Sequence, residues 1–233
     1  MDLERLGRPD LSRAFLDRYG ELAADNWPST LAHHHIAYRA AVRAKVAVIR
    51  AGQVGQDLGP EVVQHLGIAQ RRMELAQCRL TLVGGLPGTG KTTLATSLGE
   101  STSAVVLSSD DARDHLLGTP TGPSEVDEGR YRPDLRRAVY DRLIAEAGGL
   151  LSHGEHVVLD ASWSDAGDRD RARAVARTTS SLVTELRCSV PPEVADGRIH
   201  RRLSAGGGRS EATPEVARVM SDRFDPWPEA EIV

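Results

Sequence analysis

The chain has 233 residues, 40% of them hydrophobic, 27% charged and only 4% aromatic, with a formal net charge of −4. This length exceeds one ordinary domain, and the apolar share supports a core built on Leu, Val, Ile and Ala rather than on rings. The acidic balance gives no electrostatic footprint for sequence-independent nucleic-acid binding, and no stretch approaches the roughly 18 apolar residues of a membrane span.

Met1–Arg5 does not open a basic, then apolar, targeting signal, so the expected location is cytoplasmic and no membrane partner is expected. Cys78 and Cys188 form no CxxC pair and read as idle thiols in a reducing compartment.

In chain order, Leu11, Phe15, Leu16 and Tyr19 recur at helical spacing and predict a helix over Pro9–Ala24. A second helix is expected from Ser29, read as its cap, through Ile49. Gly52, Gly55 and Gly59 break the pattern, and Pro60 suits the first turn of a third helix reaching Gln77. No strand is expected before residue 76. Within the second helix, His33-His34-His35 makes a poor chelate, because adjacent helical residues point in different directions.

From Arg79 the period changes. Strands are predicted at Leu80–Gly84, Ala104–Ser108, His156–Asp160 and Leu182–Ser189. Helices are predicted at Lys91–Leu98, Asp111–Leu117, Pro133–Ser152, Asp165–Arg177, Pro192–Leu203 and Pro214–Phe224. Short apolar strands alternating with helices imply a parallel sheet covered on both faces, with ligands at the carboxyl ends of its strands. The expected fold is α/β, a P-loop NTPase parallel sheet flanked by helices over residues 77–233. An all-helical N-terminal extension precedes it over residues 1–76.

The most specific signal is Gly85-Leu86-Pro87-Gly88-Thr89-Gly90-Lys91-Thr92, placed between the apolar run Leu80–Val83 and a helix-compatible run. Glycines let successive backbone N–H groups converge on phosphate oxygens, and the following helix adds positive potential. Lys91 is expected to reach the β- and γ-phosphates, and the Thr92 hydroxyl to ligate Mg²⁺. ATP and Mg²⁺ are therefore the expected cofactors, held by Gly85 through Thr93.

Such a loop does not choose among phosphotransferases, switches and motors. The chain's only asparagine is Asn26, so it lacks the Asn-Lys-x-Asp stretch of common guanine readers. Asp160 closes its apolar strand but is followed by Ala161, so the second, water-positioning acid of motor ATPases is missing. A small phosphotransferase fits best. Asp110, just beyond the strand at 104–108, is placed to face the γ-phosphate and act as general base on an acceptor hydroxyl. Arg113, one turn on, points the same way. Asp110 and Asp111 have an alternative reading as helix caps.

Asp160 is a candidate for the Mg²⁺ shell; Ser162 and Trp163 can line the acceptor pocket, although Trp163 can equally pack. Arg198 and Arg202 share a helix face before Gly206-Gly207-Gly208-Arg209, as a closing lid requires. Arg130 and Arg132, flanking Tyr131 in Gly118–Arg132, suggest a substrate-side flap.

Together, Gly-Leu-Pro-Gly-Thr-Gly-Lys-Thr-Thr, Ser109-Asp110-Asp111-Ala112-Arg113, Val157-Val158-Leu159-Asp160 and the arginine helix resemble P-loop kinases of the polynucleotide-kinase and zeta-toxin type, over about residues 79–227. The resemblance implies transfer of the ATP γ-phosphoryl to a hydroxyl, with Asp110 as base, Arg113 on the acceptor side and Arg198 or Arg202 in the lid. It does not carry over a substrate, because Gly118–Arg132 departs from the pattern. Low aromatic content and net negative charge disfavour a nucleic-acid acceptor. A regulatory module that binds ATP without transfer is the other reading.

Asp2–Asp10 and His34–Arg39 resemble the C-terminal helices of an aminoglycoside-phosphotransferase-like domain. Bacterial proteins exist in which that domain precedes a P-loop domain. This resemblance implies a short-start version of a two-kinase protein, or a phosphotransferase-like partner domain. A helical docking cap is compatible with it, and residues 1–76 are assigned no catalysis.

Overall fold

The computed structural model describes residues 1–24, 27–55, 57–118, 132–205 and 212–233. The chain separates into two compact units, Met1–Cys78 and Arg79–Val233.

The first unit is helical: α1 (Asp2–Arg5), α2 (Pro9–Ala23), α3 (Ser29–Val54) and α4 (Gly59–Leu75). Ala37, Ala40, Ala44 and Ala47 form a buried stripe on α3, small enough to let a neighbouring helix approach closely. Ile36, Ala40 and Ile68 cluster there, with Met1 and Leu16 packed against them. Ser29 proves to be the first helical residue, not a cap: Pro28 holds the cap position, and no side chain bonds into the first turn. Gly52 does not break α3 either; the helix ends at Gly55, which turns left-handed at φ +66°. In the histidine triplet, His33 Nδ1 lies 2.7 Å from an Arg72 guanidinium nitrogen, and that arginine is paired with Glu4.

The second unit alternates strand and helix: β1 (Arg79–Gly85), α5 (Lys91–Thr102), β2 (Val105–Ser108), α6 (Ser109–Leu117), α7 (Pro133–Ser152), β3 (Val157–Asp160), α8 (Ala166–Thr178), β4 (Leu182–Cys188), α9 (Pro192–Ser204), α10 (Pro214–Asp222) and β5 (Glu231–Ile232). All pairings are parallel, in the order β2-β3-β1-β4-β5. β1 is central, and its Leu80, Leu82 and Val83 are fully buried, as a strand covered on both faces demands.

The start of one helix and one additional strand differ from expectation for physical reasons. The predicted start of α6 at Asp111 moves back to Ser109, because the Ser108 side chain accepts from Asp110 N and caps the helix. The capping role open to Asp110 and Asp111 therefore falls to Ser108. The short strand β5 was not expected; it adds to β4 at Leu186–Arg187, and a two-residue strand offers no periodicity to read.

Candidate functional site

The turn after β1 is shaped by glycines. Gly88 has φ +80°, and a Cβ there would lie 2.6 Å from Ala195 O, so only glycine meets both the conformation and the close approach. Gly85 is at φ +131°, where a Cβ would strike Cys188 O. Its N–H donates to Ser162 O at 3.1 Å, while Thr89 Oγ1 donates to Leu86 O at 2.8 Å. Gly85, Leu86 and Thr89 thus build the turn. Pro87, Gly88, Gly90, Lys91, Thr92 and Thr93 line a cavity of about 400 Å³ at the head of α5.

The same cavity is bordered by Asp110, Arg113, Asp160, Arg198 and Arg202. Parallel topology accounts for this: β1, β2 and β3 all end on one edge, so residues far apart in sequence converge there. Lys91 Nζ donates to Leu86 O at 2.9 Å. Burial pushes its ammonium below the ordinary lysine value, and the negative charges of Asp160 and Asp110 draw it part of the way back. Asp160, 3% exposed, moves the opposite way. Burial raises its carboxyl, against the pull of the Thr92 hydrogen bond and the Lys91 charge.

Thr92 Oγ1 and Asp160 Oδ2 are 2.7 Å apart. This hydroxyl and carboxylate are oxygen donors of the kind a hard divalent cation prefers, beside a loop suited to phosphate. The donor chemistry therefore fits Mg²⁺, which would supply positive charge between the phosphates.

Asp110 Oδ1 accepts from Arg113 Nη1, one turn along α6. Arg198 Nη1 donates to Gly88 O at 3.2 Å and Thr89 O at 3.3 Å, which places it on the loop itself. Arg202 Nη2 donates to Ala212 O at 2.9 Å, tying the end of α9 to the segment entering α10. The flap residues Arg130 and Tyr131 and the hinge Gly206–Arg209 lie outside the described residues. Arg132 pairs with its neighbour Asp134, 2.6 Å away.

Ser162 borders the cavity, but Trp163 does not. It is fully buried, with Nε1 donating to Leu159 O at 3.2 Å; of its two readings, packing is the one the geometry supports. Sequence reasoning missed Arg136 and Tyr140 on α7 and Val216, Val219 and Met220 on α10, all of which border the cavity. Arg136 and Tyr140 stand four apart at the start of a proline-initiated helix, a spacing that marks a shared face. Nothing in their composition tied that face to this sheet edge.

Comparison with known proteins agrees with this architecture. Uncharacterized proteins of Mycobacterium tuberculosis and Mycobacterium bovis are each 42% identical over 230 residues, 97% of this chain and 46% of theirs. The chain therefore spans less than half the length of these relatives. A crystal structure of a candidate kinase from Chloroflexus aurantiacus matches with a TM-score of 0.53 at 20% identity, over 67% of this chain and 86% of that one. This is a likeness of fold, that of a P-loop NTPase. Residues 80–227 match the family model described as an AAA domain, and the chain belongs to that family, AAA_33.

Proposed function

We propose that the chain is an ATP- and Mg²⁺-dependent kinase transferring the γ-phosphoryl of ATP to a hydroxyl of a small-molecule acceptor. The observation that carries this reading is one cavity bordered both by the phosphate loop, with Lys91, Thr92 and Asp160, and by the Asp110–Arg113 pair. Loop N–H groups and Lys91 hold the phosphates, and Thr92 and Asp160 hold the Mg²⁺. Arg113 fixes the Asp110 carboxylate, which takes the proton of the acceptor hydroxyl. As the acceptor oxygen bonds to the γ-phosphorus, the bond from that phosphorus to the β–γ bridging oxygen breaks, and ADP leaves. Arg198 and Arg202 supply positive charge at the transferring group.

The test is incubation with labelled ATP and Mg²⁺ against a panel of metabolites and 5′-hydroxyl oligonucleotides. Asp110→Ala is expected to bind ATP normally and lose about 10²–10⁴-fold in transfer. Full transfer by Asp110→Ala overturns the base assignment. Firm ATP binding with no transfer to any acceptor favours a nucleotide-sensing module instead.

The helical unit is proposed as the end of an aminoglycoside-phosphotransferase-like domain, on the strength of the residues at 2–10 and 34–39. Its partner role is tested by co-purification of a separately expressed domain of that type.

A further inference from the structure

The turn after β3 is held in an uncommon conformation. Trp163 has φ +53°, in the left-handed region that a bulky residue occupies only when its surroundings fix it there. The surroundings do so. Trp163 O accepts from Arg169 Nη1 at 2.6 Å, Ser162 O accepts from Gly85 N at 3.1 Å, and Ser164 O accepts from Asp225 N at 2.9 Å. The result is that Ser162 borders the cavity while the indole is turned into the core.

Above this turn stands Tyr140 of α7, its ring edge-on to Trp163 at 5.2 Å. Its hydroxyl lies 3.1 Å from Trp163 N and 3.0 Å from Ser162 Oγ. A backbone N–H can only donate, so the phenol oxygen accepts from Trp163. The two hydroxyls carry two protons between them, and their mutual hydrogen bond uses one. The second proton meets no acceptor among the described residues, and both residues border the cavity, Ser162 partly exposed and Tyr140 buried. With the buried phenol donating to Ser162 Oγ, the more exposed Ser162 hydroxyl is the donor left to offer a ligand. Burial also raises the Tyr140 phenol above its ordinary value, so it keeps its proton.

The ends of β2 and β3 bring this donor and the proposed base to the border of one cavity. Ser108 of β2 and Asp160 of β3 are register partners, and Asp110 and Ser162 each lie two residues further along their chains. Asp110 lies in the first turn of α6 and Ser162 in the turn after β3, both on the border of the same cavity, so a ligand that meets both offers an oxygen to each.

We infer that the Tyr140–Ser162 pair orients the acceptor by donating to a second oxygen near the attacked hydroxyl, so that the acceptors are diols, polyols or hydroxy acids rather than monohydric alcohols. The inference rests on the kinase reading above and names the substrate class of that site.

The test compares the full chain with its Ser162→Ala variant. Tyr140 still accepts from Trp163 N in that variant, so the turn keeps its support. Phosphoryl transfer from ATP is measured with glycerol, glycerate, gluconate and inositol, and with 1-propanol and 2-propanol of similar size. Binding of each probe is measured in parallel by calorimetry with Mg²⁺ and a non-hydrolysable ATP analogue.

The polyols and hydroxy acids are expected to bind and react, and the propanols to fail. Ser162→Ala should raise the acceptor KM by about 10–100-fold while leaving the KM for ATP unchanged. Propanols reacting as well as polyols, an unchanged acceptor KM, an equal loss for ATP, or no binding by any polyol overturns the inference. A probe that binds in a Ser162-dependent way without being phosphorylated removes the kinase reading and leaves the donor pair standing.

Discussion

Thr92 Oγ1 donates to Asp160 Oδ2 at 2.7 Å, joining the first turn of α5 to the last residue of β3. Adjacent parallel strands make this possible: Val83 of β1 and Asp160 are register partners, so the loop leaving β1 curls back over the end of β3. If the two residues together hold Mg²⁺, removing either oxygen weakens the site. Thr92→Ala and Asp160→Asn are each expected to raise the Mg²⁺ needed for half-maximal ATP turnover by about 10–100-fold. A Mg²⁺ titration at saturating ATP measures this.

Lys91 carries a cost in the free protein. Its pKa is lowered, so between the folded and the ordinary lysine values the unfolded chain binds more protons than the folded one. The stability deficit is full below the lowered value and is relieved as pH rises toward the ordinary one. Lys91→Met removes the buried charge. Thermal melts without nucleotide at neutral pH should show the variant at least as stable as the parent. The rise in melting temperature on adding ATP with Mg²⁺ should vanish in the variant, since the ammonium is the group expected to meet the phosphates.

Gly88 presses against α9, where an added Cβ would sit 2.6 Å from Ala195 O. Its φ of +80° also disfavours any other residue. Gly88→Ala should therefore distort the phosphate loop and weaken ATP binding at least about tenfold, at a stability cost of about 1–2 kcal/mol. Calorimetric ATP titration, together with a denaturant melt, separates the two effects.

Glu185 of β4, 8% exposed, accepts from Arg173 Nε at 2.6 Å and from Trp227 Nε1. Burial alone would push its carboxyl up, but the Arg173 and Trp227 hydrogen bonds outweigh that and hold it below the ordinary glutamate value. A lowered carboxyl pKa contributes stability that is full above the unfolded value and is lost as pH falls through the folded one. Glu185→Gln removes one carboxylate from Arg173, which keeps its pairs with Asp170 at 2.9 Å and Glu229 at 3.2 Å. It is expected to cost about 1–2 kcal/mol at neutral pH, and the difference from the parent should shrink as pH falls below the ordinary glutamate value. Denaturant melts across pH 3–7 check both statements.

Much of the fold could be read from the residues because its signals are local. Pro133 and the apolar positions behind it predict α7 at 133–152, and the helix occupies Pro133–Ser152. The four strands predicted after residue 79, β1 to β4, fall within a residue or so of their expected limits. The miss at Ser29 has a definite cause, since Pro28 already sets the extended conformation a cap residue needs. Ser108 was a better cap than either aspartate because it alone precedes the first helical residue with an extended backbone. At the site, Lys91, Thr92, Asp110 and Asp160 could be picked out because each sits at a strand end or loop where the chemistry has a sequence signature. Tyr140 and Arg136 could not, because a helix face announces that it is shared but not what it meets.

The residues alone determined where the glycine loop after β1 stands and that its pattern is one suited to phosphate. Eight consecutive positions mark it, with glycines where the backbone turns left-handed and a lysine and threonine where the helix begins. Tertiary structure decided which hydroxyls, carboxylates and guanidinium groups share the cavity with it. Strand order β2-β3-β1-β4-β5 is set by burial across the whole sheet, and only that order brings Asp110, Ser162 and Tyr140 to one edge. A short motif carries its own geometry, whereas convergence of distant segments depends on how every apolar face finds cover.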